Sequence, residues 1–140
     1  FVLVGALVHV GALEVLADTI TEATGGALVP TLMVVLIASA VISAVVDNIP
    51  YVAAMTPVVG SLVTAHPELG QDGALWWALA LGADLGGNAT LVGASANVVI
   101  VGIAARNGLH ISFVQWLRYG VPTAVMSIVV CIPYLLLRYT

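Results

Sequence analysis

Residues 44–57 read AVVDNIPYVAAMTP: an aspartate, an asparagine and a proline stand together inside the longest apolar block of the chain, residues 29–65. A carboxylate and a broken helix are each costly in apolar surroundings, so their adjacency decides how the chain is read. Pro50 has no N–H and its ring clashes with the carbonyl of Val46, which predicts a helix break near Asp47–Asn48. Around this point the chain of 140 residues is 61% hydrophobic and only 7% charged. Its mean hydropathy is +1.16. A soluble domain carries about 25% charged residues, and a chain this short cannot hide so much apolar surface in one core. The solvent must be lipid. The net charge of −4 rests on seven acids and three arginines, so there is no basic patch for nucleic acid. One cysteine, Cys131, excludes an intramolecular disulfide and reads as a small core hydrophobe. The opening FVLVGALVHVGALEVLA starts as if already inside a helix, without the basic n-region of a signal peptide, and reads as part of a larger protein.

A second interruption follows the same logic. Residues 74–105 form another apolar block, broken by GGNATLVGAS at 86–95. Gly86 and Gly87 weaken the helix there, and Asn88, Thr90, Ser95 and Asn97 bring side-chain oxygens where a lipid-facing helix would carry Leu or Val. Backbone can be left unpaired at membrane depth only where it is buried in protein or lines a wet cavity. Two polar breaks in apolar blocks are the mark of a transporter site near the midplane. The rest reads as a helix over 1–17, a polar stretch at 18–26 and a loop at 66–73. A turn at 106–110 leads to an interfacial stretch ending at Trp116 and a last span between Arg118 and Arg138. The 29–65 block admits two full spans or a re-entrant hairpin with its tip at Asp47–Pro50. The loops on either side of it hold Asp18, Glu22, Glu68 and Asp72 but no Lys or Arg, whereas Arg106 and Arg118 flank the next loop. The positive-inside rule then puts both ends of the block outside, as re-entry requires. The expected fold is an all-α polytopic membrane protein, a single domain over 1–140.

SAVVDNIPYVAAMTPVV (43–59) and GADLGGNATLVGASANVVIVGIA (82–104) resemble the two signature stretches in the second half of the ion transporter superfamily. The likeness is nearest to the ArsB/NhaD-type permeases with a citrate transporter-like domain. These include sodium/proton antiporters and arsenite efflux pumps, and the citrate and dicarboxylate symporters are more distant relatives. The resemblance implies two inverted repeats, each with a re-entrant hairpin and a broken transmembrane helix, this chain being most of the C-terminal repeat. It implies a missing N-terminal repeat as partner, a bacterial inner membrane as location and a homodimer as a candidate assembly. Carried over by position, the candidate ion- or substrate-binding residues are Asp47, Asn48, Asn88, Thr90, Ser95 and Asn97. A Na⁺ would lie among Asp47, Asn48, Asn88 and Asn97. The tip has Asp47 where the symporters have Ser, and a carboxylate there favours Na⁺ or H⁺ over an anion.

Each candidate has a plainer reading. Asp47 is also a good helix cap, but an idle carboxylate at membrane depth costs ~2.5–3.5 kcal/mol. Asn48 and Asn97 could tie broken backbone together rather than hold an ion. Asp84 could join the ion shell, since hard cations take oxygen ligands, or could pair with a basic residue of the other repeat. Gly82 and Gly86 form a GxxxG, which more often marks close helix packing. His9, His66 and His110 share no metal spacing, and no nucleophile–base pair, phosphate loop or dinucleotide fingerprint points to an enzyme. The expected activity is sodium/proton antiport by alternating access, with no cofactor beyond the transported ion. The alternatives are a sodium-coupled dicarboxylate or citrate symporter, an arsenite permease or an ion channel.

Overall fold

The computed structural model describes residue 6 and residues 9–139, and among these every regular element is helical. In chain order α1 spans Ala12–Thr24, α2 Leu28–Ser43, α3 Asn48–Ala65, α4 Ala74–Gly87, α5 Ser95–Arg106 and α6 Phe113–Tyr139. A 3-10 turn, Pro67–Gly73, joins α3 to α4. Both expected interruptions are present, one at 44–47 between α2 and α3, the other at 88–94 between α4 and α5.

The core is built around α4. Helices α2, α3 and α6 all pack on it, α2 most extensively, and α1 lies against α3. Leu75, Ala78, Leu79 and Ala83 of α4 are buried against Leu32, Val35 and Leu36 of α2 and Val58, Val59 and Leu62 of α3. The two arms α2 and α3 touch each other little, meeting where Tyr51 donates its hydroxyl to Ser39 Oγ at 3.0 Å. The hairpin is held through α4 more than through itself.

That arrangement explains the glycines. A Cβ on Gly82 would come 2.5 Å from the Leu36 carbonyl oxygen, and one on Gly86 would run into the backbone of Ala40. Small residues let two helix backbones approach closely where no hydrophobic force drives them together. Ser43 closes the same seam by donating its hydroxyl to the Ala83 carbonyl at 2.6 Å. The reading of Gly86 and Gly87 as the break itself is therefore corrected. Both are helical, the last residues of α4, and unwinding starts after them at Asn88. Pro50 lies in the first turn of α3, just past the break it enforces.

The N-terminal part differs from expectation. The polar stretch at 18–26 is helical as far as Thr24, and Thr19, Thr21 and Thr24 satisfy their hydroxyls on the carbonyls of Val15, Ala17 and Ile20 within the same helix. Only Gly25 and Gly26, at φ 62° and 69°, form the turn. The expected helix over 1–17 falls partly outside the described residues; within them, Gly11 at φ 71° stands just before α1. Of the interfacial stretch ending at Trp116, residues from Phe113 on form the first turn of α6, continuous with the span.

Among the described residues two helices, α3 and α6, are long and apolar enough to cross a membrane. At ~1.5 Å per residue α6 is about 40 Å long, more than the ~30 Å hydrocarbon core, whereas α4 and α5 are about 21 and 18 Å and neither crosses alone. Beyond the break the chain is sparsely packed: α5 buries only Asn97, and α6 only Ala124 and Leu135.

Candidate ion site at the junction of two helix breaks

The two interruptions, about forty residues apart in sequence, meet in space. Asp47 makes the junction. It caps α3, with Oδ1 accepting from the Ile49 N–H at 3.1 Å, while Oδ2 accepts from the Ser95 N–H at 3.0 Å. Ser95 is the first residue of α5. One carboxylate thus satisfies orphan N–H groups at the N-termini of two helices, each the positive end of a helix dipole. A carboxylate offers an acceptor on both atoms, which a carboxamide or a hydroxyl does not. The adjacent backbone adds a third link: the Asn48 N–H donates to the Gly93 carbonyl at 3.2 Å.

The break at 88–94 is organised by Asn97 and Thr90. Asn97, only 4% exposed, donates its amide to the carbonyls of Gly87 at 3.0 Å and Thr90 at 2.9 Å. It therefore pairs carbonyls that the unwound turn leaves without helical partners. The Thr90 hydroxyl donates to the Ala44 carbonyl at the hairpin tip and accepts from the Gly93 N–H at 3.0 Å. Gly93 has to be glycine, since a Cβ would come 2.6 Å from the Gly87 carbonyl oxygen and 2.7 Å from that of Ser43. From the far side Trp116 of α6 donates its indole N–H to the Asn88 carbonyl at 3.2 Å.

A second carboxylate borders the junction. Asp84 of α4 is exposed, and its Oδ1 accepts from the Asn48 side chain at 3.0 Å. One turn on, Asn88 donates its amide to the Asp84 backbone carbonyl at 3.2 Å. Among the described residues nothing donates to Asp84 Oδ2.

All seven residues named from sequence, Asp47, Asn48, Asp84, Asn88, Thr90, Ser95 and Asn97, belong to one network. Their parts differ. Ser95 joins through its backbone alone, Asn97 ties the break, and Asp47 holds the two helices together. Ser43, Gly93 and Trp116 were missed. Ser39 and Ser43 stand four apart on α2 facing the glycines of α4, a small-residue pattern that could have found the first. Among the described residues no group of three His, Cys, Asp or Glu side chains is placed to hold a metal ion. A cation at this junction would rely on amide and backbone oxygens beside Asp84.

Relatives with curated names include an uncharacterized transporter of Mycobacterium tuberculosis, 52% identical over 139 residues, covering 99% of this chain and 32% of that protein. The 46 kDa membrane protein of Mycobacterium leprae is 49% identical over 139 residues, again 99% of this chain and 32% of the relative. The P protein of Homo sapiens is 41% identical over 147 residues, 99% of this chain and 17% of the relative. The chain spans about a third of the length of the mycobacterial relatives. No solved structure matches. The pattern of the citrate transporter (CitMHS) family matches residues 1–139. With its apolar helices, the chain is part of an integral membrane protein, and it belongs to the citrate transporter family.

Proposed function

We propose that this chain is the C-terminal repeat of a secondary transporter that exchanges Na⁺ for H⁺ by alternating access. In this reading α2 and α3 form a re-entrant hairpin, α4 and α5 are the halves of one broken membrane helix, and the missing N-terminal repeat completes the site. The observation that carries the reading is the junction. Two helix breaks joined by a carboxylate, with a second, exposed carboxylate beside them, form a site where one cation or one proton can be held in turn. An uncompensated acid at membrane depth costs ~2.5–3.5 kcal/mol, so Asp84 has to be neutralised by a proton, a cation or a partner before it moves through the bilayer. Competition of Na⁺ and H⁺ for that carboxylate is sufficient for exchange. Asp47, whose two oxygens each hold a helix N-terminus, is the positioning residue, and its charge adds to the field that attracts a cation. Asn48 and Asn88 complete the oxygen-bearing rim.

Sodium-coupled uptake of an anion such as citrate is the second reading, favoured by the family description. Against it, the N-terminus of α5, where an anion would ordinarily be held, already has Asp47 on the Ser95 N–H. In proteoliposomes of the complete transporter, an imposed pH gradient should drive saturable Na⁺ uptake. Asp84→Asn should abolish it, and Asp47→Asn should lower its apparent Na⁺ affinity. Citrate uptake dependent on Na⁺, with no Na⁺ movement under a pH gradient, would establish the second reading. Uptake that does not saturate would indicate a channel.

A further inference from the structure

Between the 107–112 turn and the first turns of α6 lies a cavity of about 750 Å³, within the range of ligand pockets. Leu109, Ile111 and Tyr119 give it apolar and aromatic walls, and His110, Gln115 and Arg118 give it a polar side. Among the described residues no acidic side chain lines it. The single ion pair among the described residues is His66–Glu68, far along the chain, so Arg118 has no carboxylate partner there. A guanidinium forks onto two oxygens of an anion, and here it stands next to apolar walls.

Depth narrows the choice of anion. Twenty residues separate Arg118 from Arg138 on one helix, which is about 30 Å, the thickness of the hydrocarbon core. The two arginines therefore fit the two headgroup levels. Arg106 and Arg118 flank the same turn, while the 66–73 loop carries Glu68 and Asp72 and no Lys or Arg, so the Arg118 end is cytoplasmic by the positive-inside rule. That leaflet holds anionic phospholipid, and basic pockets between helices on that side take such headgroups. Trp116 and Tyr119 are the aromatic residues expected at the same boundary.

We propose that this cavity binds the headgroup of an anionic phospholipid. Its phosphate lies on Arg118 with His110 and Gln115, and its glyceride lies against Leu109, Ile111 and Tyr119. The site borders the break. Asn88 lines the same cavity and takes the Trp116 indole N–H. A Cβ on Gly120 would come 2.7 Å from the Asn88 and Ala89 carbonyl oxygens. With Gly120 two residues from Arg118, the cavity and the start of the unwound turn are direct neighbours. A lipid seated on Arg118 presses on Trp116 and so steadies the start of the unwound turn. The proposal rests on the membrane placement of α6 and not on which ion is carried.

The test is lipid retention by the complete transporter, delipidated in detergent and offered phosphatidylglycerol or phosphatidylcholine, with bound lipid counted by native mass spectrometry. Phosphatidylglycerol should be retained at least tenfold better, and millimolar inorganic phosphate should not displace it. Arg118→Gln should bring retention down to the phosphatidylcholine level. His110→Ala, a change in an exposed turn that leaves the fold intact, should lower it several-fold, and Arg138→Gln should leave it unchanged. Equal retention of the two lipids by the unaltered protein would overturn the proposal. So would full phosphatidylglycerol retention by Arg118→Gln, or displacement by free phosphate, which would mark a site for a soluble anion.

Discussion

The two interruptions are held in opposite ways. Beyond the turn bonds of Val45 and Val46 onto the Ile42 carbonyl and the Asp47 cap on Ile49, the tip at 44–47 is tied to the other interruption: Ala44 receives the Thr90 hydroxyl, the neighbouring Asn48 donates to Gly93, and Asp47 reaches to Ser95. The break at 88–94 is tied mainly from within, by Asn97 onto Gly87 and Thr90 and by Thr90 onto Gly93. The tip borrows its order from the break. Damage to the break should therefore spread to the tip, while damage to the tip should leave the internal ties of the break in place.

The largest effect is expected where the interruptions are brought together. Gly86→Leu forces a side chain into the Ala40 backbone and should cost about 3 kcal/mol or more, read as lost folded protein in a denaturant titration of the complete transporter. Gly102→Leu on α5, where no atom of the described residues lies within 4 Å of a Cβ, should not lower stability. Asn97→Ala comes next. It leaves two carbonyls of the unwound turn without their donor and should cost about 2–3 kcal/mol, with faster amide exchange at both the break and the tip. Exchange confined to the break would show that the tip stands on its own ties. Asp47→Asn keeps one acceptor oxygen and loses the other, costing about 1 kcal/mol. Spin labels at Val45 and Ala96 should then report a broader tip-to-α5 distance, and an unchanged distribution would mean that Asp47 does not hold the two together. Trp116→Phe, which removes one hydrogen bond to the Asn88 carbonyl, should cost about 1 kcal/mol and leave the tip unaltered.

The positions of the breaks were legible because their causes are local. Pro50 beside Asp47–Asn48 and the polar run after Gly87 each combine several helix-disfavouring residues, and the structure interrupts the chain beside both, whereas the isolated Pro57, Pro122 and Pro133 are carried inside helices. The extension of α1 through Thr24 was not read, since threonine hydroxyls are equally polar whether they face water or fold back on their own helix. The dual role of Asp47 was only half legible. A cap on Ile49, two residues on, follows from sequence, but the bond to Ser95 joins residues 48 positions apart and depends on how α4 sets the hairpin against α5. The same holds for Gly86, whose neighbour Ala40 belongs to another helix. Residue types located the site. Packing assigned the roles.

The central claim is that one junction binds Na⁺ and H⁺ in competition, with Asp84 as the exchanging group and Asp47 as the tie. It is tested most directly by proton release when Na⁺ is added to the purified complete transporter in weakly buffered solution. Proton release on Na⁺ binding is expected from the unaltered protein, and Asp47→Asn should show it only at higher Na⁺ concentration. Asp84→Asn should release none. Undiminished release from Asp84→Asn would contradict the assignment, and Na⁺ binding without any proton release by the unaltered protein would contradict the exchange itself.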